Sequence, residues 1–277
     1  MLEISEMFYS VQGEGLTTGV PSYFMRLKGC NLRCGFSASD ITMLTKTIKD
    51  SSEYVVGGNI VGSLQREGKA TWTCDSAPVW VKGISTSFEQ VIEKWRSEGV
   101  LERILKGEIN IIWTGGEPTI PKHQKAIIQF NDQLASYCIK NNLCNLSYQE
   151  IETNGTIALE NDLITYLDQI NCSVKLSNSG MTVKQRINAD AIQTIKNSNI
   201  LYTFKFVVSS EDDIKEAIDS YIKPFDLDIK NTCMMPGLDK QEDFHKQTLF
   251  ILEMSKKYGI RGLQRMHISA WGSCTGV

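Results

Sequence analysis

From Phe88 onward two apolar patterns alternate, and this alternation limits the possible folds more than any other feature of the chain. Phe88, Val91, Ile92 and Trp95 recur at helical spacing, whereas Asn110-Ile111-Ile112-Trp113 reads as a short buried strand. The same reading predicts helices over about 122–140, 162–167, 189–196, 211–221 and 240–258. Between them it predicts strands over 146–151, 173–176, 202–208, 232–235 and 264–268, after an earlier strand over 23–27. Strands that alternate with helices predict an α/β fold with parallel pairing and helical crossovers. In barrel-like α/β folds the chemistry sits at the carboxyl ends of the strands. The polar motifs of this chain fall at such ends: after Trp113, after Ile151 and at the end of the 173–176 strand.

Composition narrows the class. The chain has 277 residues, 42% hydrophobic and 22% charged, as in an ordinary soluble protein with an ample core. No internal repeat or low-complexity linker divides it, so residues 1–277 are expected to form one domain. The net charge is −3 with both signs mixed, and no basic block offers a direct nucleic-acid footprint. The sequence has no leader pattern at Met1 and no apolar run of about 18 residues, so neither export nor a membrane span is expected. Eight cysteines without a leader point to a reducing cytoplasm rather than a disulfide scaffold. Cys138, Cys144, Cys172, Cys233 and Cys274 are scattered and read as bystanders.

Cys30 and Cys34 are different. Three residues separate them, just after the apolar 23–27 run. Where a third cysteine would complete a compact loop stands Ser37, and the next cysteine is Cys74, after 39 intervening residues. An iron–sulfur cluster needs thiolate donors on a loop that can wrap it, whereas structural zinc usually takes four protein ligands. Spacing alone leaves a cluster, zinc and unliganded core cysteines open. Two further motifs are as ambiguous when taken singly. Gln12-Gly13-Glu14-Gly15 is a sharp turn that can present backbone groups beside a carboxylate. Thr114-Gly115-Gly116-Glu117-Pro118 follows a strand; its glycines let a ligand approach the backbone, and its carboxylate can accept from an ammonium group. Arg26, inside a buried strand, needs either a structural partner or a ligand. Residues 35–73 break the pattern with a polar stretch over 37–52. A predicted hairpin of 53–56 and 59–61 follows, turning at Gly57-Gly58, so the segment reads as an insertion.

Together these motifs resemble the radical S-adenosylmethionine (SAM) superfamily, with a cysteine set near the first strand and Gly-Gly-Glu-Pro about eighty residues later. Within it, the chain resembles the 7-carboxy-7-deazaguanine synthase family over nearly its whole length outside the insertion. The resemblance is carried by Gln12 to Gly15, Phe24 to Cys34, Cys74-Asp75-Ser76 with Trp80, and Thr114 to Pro118. It continues through Glu152-Thr153-Asn154-Gly155, Ser173-Val174-Lys175, Lys205 to Val208, His267, Trp271-Gly272 and Gly276-Val277. The family's third cysteine is followed by Asp, by Thr or Ser, and soon by Trp. Cys74 has that sequel and Ser37 does not, so the resemblance takes Cys74 as the third ligand and 35–73 as inserted before it.

What the resemblance implies can be set out residue by residue. The fold would be an incomplete parallel (β/α) barrel of the radical SAM type, with the inserted loop or hairpin between the second and third cluster cysteines. The enzyme would be a lyase converting 6-carboxy-5,6,7,8-tetrahydropterin to 7-carboxy-7-deazaguanine and ammonia, in queuosine and 7-deazaguanine biosynthesis. Hydrogen abstraction by a 5′-deoxyadenosyl radical would start the ring contraction, so no side chain is expected to be catalytic itself. The implied cofactors are one 4Fe-4S cluster on Cys30, Cys34 and Cys74, SAM, and Mg²⁺ on Ser76. SAM would meet Thr73, Cys74, Asp75, Gly116, Glu117, Ser173, Val174 and Lys175. The pterin would lie against Val11, Gln12 and Gly13, with Glu14 at its guanidine-like edge and Arg26 on its carboxylate. Thr114, His267 and the terminal carboxylate of Val277 would be further contacts. An electron donor such as flavodoxin or ferredoxin is the implied partner, and a homodimer the expected assembly. Two other classes stay open: another radical SAM enzyme, such as a glycyl-radical activase, or a non-catalytic zinc- or cluster-binding module.

Overall fold

A computed structural model of the chain describes residues 1–47, 68–237, 243–272 and 276. Its strands are β1 (Leu2–Val11), β2 (Pro21–Leu27), β3 (Ile84–Thr86), β4 (Asn110–Gly115) and β5 (Gln149–Thr153), then β6 (Gln169–Cys172), β7 (Leu201–Val208), β8 (Thr232–Pro236) and β9 (Arg261–Gly262). They form one sheet in the order β3-β1-β2-β4-β5-β6-β7-β8-β9. β1 is antiparallel to β2 and to β3, and every pairing from β2 to β9 is parallel. Among the described residues β3 and β9 are unjoined edges, so the sheet is open. The chain therefore has the expected α/β class and an incomplete, mostly parallel sheet, with an antiparallel first strand that the sequence reading missed. No described helix is long and apolar enough to cross a membrane.

The helices cover one face of this sheet. Ser87 starts the helix Phe88–Ser97 with a capping box to Gln90, and the helix buries Val91, Ile92 and Trp95. Pro121 opens the helix Pro121–Lys140, where its missing N–H costs nothing. Trp95 meets Tyr23 and Phe130 edge-on, each at 5.7 Å between ring centres, and Trp113 meets Phe130 at 5.4 Å. These rings lock two helices onto β2 and β4.

The other face is polar. Tyr23, Met25, Ile151, Phe204 and Phe206 enter the main core, while their neighbours Phe24, Arg26, Glu152 and Lys205 line a cavity. That two-faced pattern moves several strands from where apolar runs place them. β6 covers Gln169–Cys172 rather than 173–176, because Gln169 and Asn171 turn inward and donate to the buried Glu150, at 3.2 and 2.9 Å. The expected 264–268 strand is replaced by the two-residue β9 and a helix, Met266–Trp271. The Leu263 N–H bonds to the Met234 carbonyl at 2.8 Å, but the Met266 N–H has already crossed to the Gly13 carbonyl, at 3.0 Å.

The insertion also departs from expectation. Its first part is a helix, Ala38–Thr47, not a polar loop. Ile41 and Leu44 hold it against Phe36, Trp80 and Val81. The hairpin predicted over 53–61 lies outside the described residues. The arms of the insertion meet: the Cys74 N–H donates to the Cys34 carbonyl at 3.0 Å. Gly35 (φ +79°) lies so close to the returning arm that an added Cβ would stand 2.4 Å from the Trp72 carbonyl oxygen.

Trp95→Ala should lower the unfolding free energy by about 3–5 kcal/mol, read as a fall in the denaturant midpoint at unchanged slope.

Candidate active site

A cavity of about 280 Å³ opens at the carboxyl ends of the parallel strands. Into it the fold brings the turn Val11, Gln12, Gly13 and Glu14, then Arg26, Cys30, Cys34 and Cys74. Thr73, Asp75 and Ser76 join them, as do Thr114, Gly116, Ser173, Lys175 and His267. Glu117 and Val174 do not line it, and Val277 lies outside the described residues.

The three cysteines come from two segments. The Cys34–Cys74 backbone bond sets the remote Cys74 beside the Cys30–Cys34 loop. The Leu32 N–H points at the Cys30 sulfur at 3.4 Å, and the Asn154 amide at 3.9 Å. Burial pushes all three thiols up, Cys34 to about 12, and Cys30 is raised further by nearby Glu117. As thiolates they need a compensating positive partner. Among the described residues, no three His, Cys, Asp or Glu side chains are arranged to hold a single metal ion. Ser37 is occupied elsewhere: its hydroxyl accepts from the Asp40 N–H at 3.1 Å and donates to the Asp40 carboxylate at 2.7 Å, at the start of the helix Ala38–Thr47.

The Gly-Gly-Glu turn braces this loop. A Cβ on Gly116 would fall 1.7 Å from the Gly29 carbonyl oxygen, and the Glu117 N–H donates to that same oxygen at 2.9 Å. The Glu117 carboxylate is fully buried and has four donors: the Thr119 N–H (3.0 Å) and hydroxyl (2.6 Å), the Thr153 hydroxyl (2.8 Å) and the Asn154 N–H (2.7 Å). Burial pushes its carboxyl up, and these hydrogen bonds restrain the shift. This carboxylate is expected at SAM; its hydrogen bonds tie β4 to the β5 turn. Val174, likewise expected at SAM, puts its side chain into the main core.

Charges alternate along the inner wall. Glu14 accepts from Arg265 Nε at 2.7 Å and from Lys205 Nζ at 3.0 Å, with His267 Nε2 4.0 Å away. Arg265 also pairs with Asp75, and Lys205 lies 3.6 Å from Glu152. Glu152 in turn accepts from the Thr114 hydroxyl at 2.7 Å and the Gln12 amide at 3.3 Å. Desolvation would raise the Glu14 carboxyl, but Lys205 and Arg265 hold it well below the usual range. Desolvation opposes Asp75 too, yet the Arg265 guanidinium holds it down at about 2. Burial, aided by Arg265, pushes His267 down against the pull of Glu14, so its imidazole is neutral at pH 7.

Two cations differ. Arg26, expected to face the substrate carboxylate, pairs with Glu6 directly across the β1–β2 ladder at 3.1 Å and lies 5.8 Å from the Phe8 ring. Lys175 donates to the Ser173 hydroxyl at 2.9 Å and lies 5.8 Å from the Trp72 ring, and no described carboxylate pairs with it. Sequence reasoning missed Glu6, Glu152 and Arg265. It gave Lys205 no site role, although a lysine inside the apolar 202–208 run is a signal of an inward-facing charge; nothing signalled Arg265, which fell in a segment read as strand.

Glu117→Ala strands four buried donors and should cost at least about 3 kcal/mol in urea denaturation, with Glu117→Gln recovering part of the loss.

Comparison with known proteins follows the geometry. No protein-family model matches the chain. The 7-carboxy-7-deazaguanine synthase of Pyrobaculum aerophilum is 25% identical over 275 residues, covering 99% of this chain and 97% of that one. The enzyme of the same name from Rhodopirellula baltica is 25% identical over 285 residues, covering 100% and 89%. That of Clostridium acetobutylicum is 28% identical over 229 residues, covering 82% and 77%. Among solved structures, QueE from Escherichia coli superposes with a TM-score of 0.55 at 22% identity, covering 96% of this chain and 94% of that one. The chain is thus similar over nearly its whole length to the 7-carboxy-7-deazaguanine synthases, and it has the fold of QueE.

Proposed function

We propose that residues 1–277 act as one radical SAM domain, interrupted by the insertion at 35–73. In this reading the chain is a 7-carboxy-7-deazaguanine synthase, a lyase that takes 6-carboxy-5,6,7,8-tetrahydropterin to 7-carboxy-7-deazaguanine and ammonia. The observation that carries it is the meeting, in one cavity, of three cysteines from two segments, Cys34 buried and Cys30 and Cys74 half-buried, with Lys175, which no described carboxylate neutralises, and a wall of opposed charges. The donor set fits a 4Fe-4S cluster: three thiols stand around a cavity, while nothing described grips a lone ion. When bound, the cluster and SAM together supply one-electron hydrogen abstraction from the substrate.

The chain's own residues bind, orient and exclude water. Cys30, Cys34 and Cys74 hold the cluster. Lys175 takes the SAM carboxylate, since it is the cavity cation that no described carboxylate neutralises. The Gly116 and Val174 backbones, with Thr73, Asp75 and Ser173, line the SAM side. Glu117 acts at one remove, by fixing the turns. The pterin lies against Val11, Gln12 and Gly13, with Glu14 and Thr114 on its polar edge and neutral His267 beside it. Arg26 reaches its carboxylate from the Glu6 pair, and Val277, which lies outside the described residues, is kept as an expected contact. The Ser76 hydroxyl, 3.1 Å from Asp75, offers Mg²⁺ an oxygen ligand. The reading carries with it a flavodoxin- or ferredoxin-type electron donor, a homodimer and a cytoplasmic setting.

The direct test is anaerobic reconstitution followed by incubation with SAM and the carboxypterin. Formation of a deazapurine product is expected; SAM cleavage that never consumes the pterin would sink this reading in favour of another radical SAM enzyme. Cys74→Ala should lose the bound iron and the visible absorbance, whereas Ser37→Ala should retain both. Lys175→Ala should weaken SAM binding by about 10- to 100-fold, the worth of one charge-assisted hydrogen bond, measured by equilibrium titration on cluster-loaded protein.

A further inference from the structure

Glu14 and Asp75 belong to different segments. Glu14 lies in the turn after β1, and Asp75 follows Cys74 on the returning arm of the insertion. Among the described residues, the side chain that joins them is Arg265, in the crossing between β9 and the helix Met266–Trp271. Its side chain and that of Glu14 are both 12% exposed, so solvent screens that pair less than it would a surface pair, whereas Asp75 is half exposed. Its backbone is held in place, because the next residue, Met266, donates its N–H to the Gly13 carbonyl at 3.0 Å.

Both oxygens of Glu14 are already engaged, one by Arg265 and the other by Lys205. A ligand edge bearing N–H donors must therefore share or displace one of these cations to bind Glu14. Lys205 is 3% exposed inside β7, and its second partner among the described residues is Glu152, at 3.6 Å. Arg265 is the group that can yield, because its guanidinium is already hydrogen-bonded to Asp75.

We propose that Arg265 is a positioning residue that couples ligand binding at Glu14 to ligand binding beside Asp75. Donors on the substrate take the Glu14 oxygen from Arg265, and the guanidinium turns wholly to Asp75. The Cys74-Asp75-Ser76 arm is then drawn onto the cavity, where it meets the cofactor. The coupling is positive, and it is reciprocal because it is a free energy between two binding events. The identity of the two ligands, carboxypterin and SAM, rests on the function proposed above.

The test is a pair of anaerobic titrations on cluster-loaded protein, measuring the SAM dissociation constant with and without saturating carboxypterin. In the wild type the pterin should tighten SAM binding by about tenfold. In Arg265→Gln each affinity should become independent of the other ligand, and Arg265→Lys should keep part of the coupling, since one ammonium can still bridge. Asp75→Asn cuts the strap at its far end and should abolish the coupling while leaving pterin affinity in place; it serves if Arg265→Gln fails to fold. A residue that only supports the fold would shift both affinities and leave their ratio alone. Undiminished coupling in Arg265→Gln or Asp75→Asn overturns the proposal. So does a wild type that binds both ligands independently, although the proposed function then stands. A wild type that binds neither ligand overturns the proposed function itself.

Discussion

Charge compensation on the inner face of the sheet is the constraint on which the rest of the site depends. An unpaired carboxylate or ammonium taken out of water costs several kcal/mol, so each must find an opposite partner within the cavity wall. The row Asp75, Arg265, Glu14, Lys205, Glu152 meets that demand by alternating sign across five chain segments. Each member is held by what would otherwise be its own desolvation. The row therefore fixes the turn after β1, the strand β7 and the crossing after β9 relative to one another, before any ligand arrives.

A division of labour follows. The aromatic contacts among Tyr23, Trp95, Trp113 and Phe130 set the helices on the outer face and touch no ligand. The Glu117 carboxylate sets the strand-end turns on the inner side, with three donors on Oε1 and one on Oε2. A motif residue can thus serve a reaction by holding backbone amides and carbonyls in position, with its side chain turned away. Preorganisation of that kind is paid for in folding, and nothing further is needed when the cofactor binds.

How much of this was legible in the sequence depends on which face of the sheet a residue serves. Helices with an apolar stripe, such as Phe88–Ser97, and strands with hydrophobic neighbours on both sides, such as β4, were read where they stand. β6 was displaced because Gln169 and Asn171 look like loop residues until Glu150 is set beside them. The helix Ala38–Thr47 was hidden because only Ile41 and Leu44 carry its buried side. Among site residues, Cys30, Cys34 and the glycine turns stood out by type and spacing, whereas Cys74 was reached only through the family resemblance. The partners Glu6 for Arg26 and Arg265 for Glu14 were not, because pairing across a sheet or across the chain leaves no trace in local sequence. Arg26 showed the limit well: its burial implied a partner, but a partner on a neighbouring strand and a ligand look the same from one dimension.

The meeting of the two insertion arms has a consequence for how such a chain tolerates change. Cys34 and Cys74 are joined through one backbone hydrogen bond, and Gly35 sits against Trp72 at the same neck. Beyond this neck the helix Ala38–Thr47 packs through Ile41 and Leu44 against Phe36, Trp80 and Val81. Doubling the length of a flexible segment closed in this way costs only about 0.6 kcal/mol in closure entropy. The neck thus separates length from chemistry: extra residues added beyond that helix leave the thiols in their places. It is a natural grafting point, set within the one loop where the position of every sulfur matters.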